Sequence, residues 1–136
     1  MEKTIRILLV DDDTDDQLYF IDALKEVDAG AVCKVANNGD EALQKIEIPP
    51  PPDLIFMDLN MPIMNGYECL TVLKKESRFK NIPVVIFTTS RNIQDVEKSK
   101  ELGASLFFTK PTNFQVFCNK LDKIIKSDLS DHEFMV

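Results

Sequence analysis

The chain has 136 residues, a length suited to one domain, and 44% of them are hydrophobic, which provides a core and excludes a disordered chain. A formal net charge of −7 leaves no electrostatic footprint for nucleic acid or an anionic membrane surface. The three cysteines are far apart and form no CxxC or Cys/His pair, so they suit free thiols in a reducing compartment rather than a disulfide framework or a zinc site.

The opening MEKTIRILLV reads as a strand over residues 5–10 and not as a secretory leader. It runs into DDDTDD, after which a helix is predicted from a Thr14 cap, with Gln17 at the third position and Leu18, Ile21 and Leu24 as its apolar stripe. AVCKVA (31–36) reads as a second strand, followed by a helix capped at Asn38 with Glu41 behind it and Leu43 and Ile46 on its apolar face. EIPPPPD (47–53) is a stiff, extended connection into a third strand, DLIFMD (53–58). The third helix is capped at Asn65 with Glu68 and carries Leu70 and Leu73. IPVVIFT (82–88) is a fourth strand, and its helix follows an Asn92 cap with Asp95, carries Ile93 and Val96, and ends at Gly103. SLFFT (105–109) is a fifth strand, followed by a helix capped at Thr112 with Gln115 and carrying Phe114, Phe117, Leu121 and Ile124. No apolar run is long enough to span a bilayer, so the chain reads as a soluble cytoplasmic protein.

Strict alternation predicts a (βα)5 fold: a doubly wound, flavodoxin-like α/β domain with a parallel five-stranded sheet in the order 2-1-3-4-5. Residues 1–127 form the domain, and 128–136 are expected to be a short flexible tail, with His132 as a solvated residue in it. Ligands in such sheets bind outside the carboxyl ends of the strands, near the switch point between the first and third. There the first strand ends in Asp11 and Asp12, the third in Asp58 and the fourth in Thr88, while the fifth leads to Lys110. Two carboxylates about 4 Å apart repel by roughly 4 kcal/mol at an effective dielectric near ~20, so three in one cleft call for a neutralising charge. A hard divalent cation such as Mg²⁺ supplies it, and Lys110 and Thr88 add an ammonium and a hydroxyl suited to phosphate oxygens. These are the parts for phosphoryl transfer to a carboxylate.

LLVDDD, MDLNMPIMNG, VVIFTTS and FFTKP occur in that order on the matching strand ends, and over residues 4–126 they resemble the signature segments of response-regulator receiver domains of two-component signalling. The resemblance implies a single-domain response regulator that accepts a phosphoryl group from a sensor histidine kinase or phosphotransfer protein onto Asp58. Mg²⁺ is then held by Asp11, Asp12, Asp58 and the backbone carbonyl of Asn60, with Lys110 bridging phosphoryl oxygens and acids. It also implies a cis Lys110–Pro111 bond, a switch made of Thr88 and Phe107 that alters the surface of the fourth helix, fifth strand and fifth helix for a downstream effector, and tuning of dephosphorylation by Asn60 and Ser90. Homodimer formation is left open. Such a protein catalyses only its own phosphorylation and dephosphorylation and is not otherwise an enzyme.

Other chemistries fit less well. A calcium loop needs Gly where Asp16 stands and Glu where Asp22 stands. An aspartate-nucleophile phosphatase needs an acid two residues after Asp58, where the chain has Asn60. A flavodoxin-like cofactor binder needs a small Ser/Thr/Gly-rich phosphate loop after the first strand, where the chain has carboxylates.

Overall fold

A computed structural model describes residues 4–126, 129 and 133–136. Five strands, β1 (Arg6–Val10), β2 (Val32–Ala36), β3 (Leu54–Met57), β4 (Val84–Thr88) and β5 (Leu106–Thr109), alternate with α1 (Thr14–Val27), α2 (Gly39–Lys45), α3 (Gly66–Lys75), α4 (Ile93–Glu101) and α5 (Phe114–Lys126). All strand pairs are parallel and the order is β2-β1-β3-β4-β5, as the alternation predicts.

The period-two alternation of side chains splits the core into two layers. Leu8, Val10, Ile55, Met57, Ile86 and Phe107 face α2, α3 and α4. Ile7, Leu9, Phe56, Val85, Phe87 and Phe108 face α1 and α5, where Phe20, Phe117 and Leu121 meet them. Phe20, Phe56, Phe87, Phe108 and Phe117 form a continuous aromatic cluster in this second layer, with centroid separations of 4.9 to 6.1 Å. The central strands β3 and β4 are buried along their whole length, whereas the edge strand β2 alternates and exposes Val32 and Lys34.

Three helix starts are as read from sequence: Asn38, Asn65 and Asn92 cap α2, α3 and α4, and Asn65 with Glu68 forms a complete capping box. Two shift by one residue. Asp13, not Thr14, caps α1 by accepting from Asp16 N, and Asn113, not Thr112, accepts from Val116 N at the start of α5. In each case the residue that caps is the stronger N-cap of the adjacent pair, Asp or Asn over Thr. Two apolar assignments also move. α1 buries Phe20, Ala23 and Leu24 and exposes Leu18, while α4 buries Val96 and exposes Ile93. Gly103 follows α4 at φ 101°, the left-handed conformation that ends a helix at least cost.

Lys110–Pro111 is not among the cis bonds; the cis peptide among the described residues is Pro49–Pro50. The trans form is favoured by about 0.5–1 kcal/mol for X–Pro bonds. At the chain end, Phe134, Met135 and Val136 lie against β5. His132 falls outside the described residues.

Candidate functional site

The sheet's own hydrogen bonding positions the site, continuing one residue past the strands. Asp11 N donates to Ala36 O at 2.9 Å, Asp58 N to Val10 O at 2.9 Å, and Lys110 N to Thr88 O at 2.7 Å. Three residues distant in sequence are thereby fixed at one end of the sheet. Asp11 and Asp58 are buried, Asp12 is exposed, and one carboxylate oxygen from each lies within 4.8 Å of the others.

Lys110 Nζ reaches into this cluster. It donates to Asp11 Oδ2 at 2.8 Å, Asp16 Oδ2 at 2.7 Å and Asp58 Oδ2 at 3.2 Å. Backbone amides hold the other oxygens: Leu59 N donates to Asp58 Oδ1 at 2.8 Å and Asp13 N to Asp11 Oδ1 at 3.0 Å. The carboxylates are therefore locked in orientation as well as in place. Burial pushes the Asp11 carboxyl above its usual range, against the pull of the Lys110 ammonium. Burial alone depresses Lys110, but its hydrogen bonds to Asp11 and Asp16 and the Asp58 charge together hold it well above the usual lysine value. The ammonium is a fixed positive charge at any physiological pH.

The loop from β3 to α3 is seated just as closely. Gly66 N donates to Leu59 O at 3.0 Å and Gly39 N to Met64 O at 2.9 Å. Gly66 has no room for a side chain, because a Cβ there lies 2.1 Å from Asp58 O. The Asn-Gly after Asp58 thus places a helix cap at Asn65 and a close backbone approach at Gly66. Ile63, at the loop tip, has φ 68° and is 82% exposed. Asn60 is exposed on the same loop.

On the β4 side, Thr88 is buried and its Oγ1 accepts from Ser90 N at 3.3 Å. Ser90 Oγ donates to Asp95 Oδ2 at 2.6 Å, and Tyr67 Oη donates to Asp95 Oδ1 at 2.5 Å. These hydrogen bonds, first Ser90 and then Tyr67, hold the Asp95 carboxyl below its ordinary range. Burial and Asp95 together push the Tyr67 phenol up, and Lys98 Nζ sits 4.3 Å from its ring centroid. Asp95, expected as part of a cap, is instead the hub joining α3, α4 and the loop after β4. Phe107 is fully buried, with its ring in the layer facing α2, α3 and α4.

Asp11, Asp12, Asp58 and Lys110 therefore converge as the sequence suggests, with Thr88 at the end of β4, Ser90 on the loop that follows and Asn60 exposed on the β3–α3 loop. Sequence reasoning missed the direct Lys110 contact of Asp16 and the hub role of Asp95. For Asp16 the available signal was its position in the first turn of a helix that starts at the strand end.

Residues 7–122 match the response regulator receiver domain, and the chain belongs to that family. It is 36% identical over 131 residues to the protein-glutamate methylesterase/protein-glutamine glutaminase of Desulfotalea psychrophila, covering 92% of this chain and 36% of that protein. The chain thus spans about a third of that relative's length. Among solved structures, the phosphorylated cyanobacterial phytochrome response regulator RcpA matches with a TM-score of 0.85 at 28% identity, over 96% of this chain and 98% of that one. The Mn²⁺-bound response regulator Rcp1, a Synechocystis protein, matches with a TM-score of 0.80 at 31% identity, over 96% and 98%.

Proposed function

We propose that the chain is a phosphorylation switch in which Asp58 accepts a phosphoryl group from the phosphohistidine of a sensor kinase. The observation that carries this reading is the Lys110 ammonium shared between Asp11 and Asp58, beside carboxylate oxygens of Asp11, Asp12 and Asp58 that lie within 4.8 Å. That set of hard oxygens, with one ammonium against three carboxylates, fits a divalent cation that keeps part of its water. Asp11, Asp12 and Asp58, with the Asn60 carbonyl, would hold Mg²⁺, which supplies positive charge toward the transferring phosphoryl oxygens. The Mn²⁺-bound Rcp1 relative supports the cation, and the phosphorylated RcpA relative supports the modification.

The chain's own groups account for the remaining chemistry. An Asp58 carboxylate oxygen forms the new P–O bond as the P–N bond to imidazole breaks, and the imidazole keeps the electron pair. Lys110 stabilises the charge on the transferring group from its fixed position. Thr88, at the end of β4, offers its hydroxyl to the phosphoryl oxygens, and Phe107 in β5 passes the change to the face formed by α4, β5 and α5. Converting such a switch from 1:99 to 99:1 needs about 5.5 kcal/mol of differential stabilisation. A few hydrogen bonds to a charged phosphoryl group, at about 1.5–3 kcal/mol each, supply it. Asn60 and Ser90 flank the approach of attacking water and set the acyl phosphate lifetime. A downstream effector reads the altered face.

Incubation with acetyl phosphate and Mg²⁺, followed by intact mass, tests this reading. One phosphate that persists for minutes and requires the cation is the expected result. Continuous release of inorganic phosphate with no adduct would instead indicate a phosphatase.

A further inference from the structure

β5 is an edge strand, and its outward backbone groups lie open unless something pairs with them. In this chain something does. Phe107 N donates to Phe134 O at 2.7 Å, and Val136 N donates to Phe107 O at 2.9 Å. Phe107 and Met135 thereby form a parallel bridge. Both outward hydrogen-bonding groups of the middle of β5 are thus taken by the chain's own last residues.

Side chains reinforce the contact. Phe134 packs on the core layer that contains Phe107, and Lys100 Nζ of α4 lies 5.7 Å from its ring centroid. Val136 packs on the opposite layer, so the segment straddles the sheet edge, with Met135 between them half exposed. Arg91, Lys110 and Lys120 line the groove beside Met135 and Val136.

We infer that the β5 edge is a strand-binding site for a short apolar peptide, occupied here by the chain's own Phe134–Val136. Main-chain hydrogen bonds give such a site its affinity, and the aromatic and aliphatic side chains two residues apart give it selectivity. Tethering gives the segment a millimolar-range effective concentration, so any partner strand that uses this edge must displace it. The same face thereby carries a built-in competitor for such a strand.

The test follows amide exchange in the full chain by NMR. In wild type the Phe107 amide is protected, and nuclear Overhauser contacts join Phe107 to Met135. In F134A/V136A the Phe107 amide exchanges faster by roughly tenfold or more, while the Phe108 amide, in a residue paired with β4, is unchanged. Adding the free peptide Asp131–Val136 at millimolar concentration restores the protection. M135A, which removes a half-exposed side chain, leaves exchange near wild type. Equal Phe107 exchange in wild type and F134A/V136A overturns the inference, as does the lack of Phe107–Met135 contacts in wild type, a result that needs no variant to fold. A wild-type dimer in sedimentation that F134A/V136A converts to monomer also overturns it, because the strand on the edge then belongs to a second copy.

Discussion

Replacing Gly66 with alanine sets two physical effects against each other. Gly66 is the first residue of α3, and helix propensity alone makes alanine there more favourable by up to about 1 kcal/mol. Sterics oppose this. The new Cβ falls 2.1 Å from Asp58 O and 2.9 Å from Leu59 Cα, where ordinary contact begins at 3.4 Å, so backbone must give way by about 1 Å. The neighbour is main chain, not a flexible side-chain end, and the Gly66 N to Leu59 O hydrogen bond of 3.0 Å resists retreat. Overpacking of this kind costs about 1–3 kcal/mol, so it outweighs propensity. G66A is expected to lose roughly 1–2 kcal/mol in urea denaturation. The displaced backbone is that of Asp58 itself, and a shift of about 1 Å at a reacting group lowers rates by roughly 10²-fold, so labelling by acetyl phosphate slows on that scale. A G66A protein as stable as wild type and labelled at the wild-type rate would refute the reasoning.

Three further outcomes are expected. Mg²⁺ at a hundred times its dissociation constant raises stability by about 2.7 kcal/mol in wild type, while D12N, with one charge fewer in the cluster, is more stable than wild type without the cation and responds little to it; an equal response in thermal melts contradicts the assignment. Ile63→Asn relieves a left-handed β-branched residue that is 82% exposed, and is expected to stabilise by about 1 kcal/mol in urea titrations, with no gain as the contrary result. Because its folded pKa is depressed, Asp95 contributes stability that is present above its ordinary value of 3.8 and lost as pH falls through the lower folded value. D95N therefore flattens the acid limb of the stability–pH curve below about pH 4 and leaves little change in slope at neutral pH; an unaltered acid limb would contradict the Tyr67–Asp95–Ser90 hub.

The sheet order and the four converging residues were legible because strand ends are legible. Each apolar run stops at a polar residue, and a parallel doubly wound sheet brings those stops to one rim. Asp11, Asp12, Asp58 and Lys110 needed only strand boundaries to be located, as did Thr88 at the end of β4. Asp16 and Asp95 needed helix phase and tertiary distance: Tyr67 meets Asp95 across 28 residues, and nothing local distinguishes that carboxylate from a cap. Asp13 and Thr14 are both good caps, so the local sequence offers two starts for one helix. The pairing of Phe134–Val136 with β5 depends on an edge strand far away in sequence, and a three-residue apolar segment has too little periodicity to announce it.

The central claim concerns which atom is modified, and it is tested most directly by locating the phosphate. Wild type and D58N are treated with acetyl phosphate and Mg²⁺, reduced with borohydride to convert any acyl phosphate to an alcohol, digested and mapped by mass. The expected result is homoserine at position 58 in wild type and no modified residue in D58N. A modified residue elsewhere in wild type, or D58N labelled as fast as wild type, would contradict Asp58 as the acceptor.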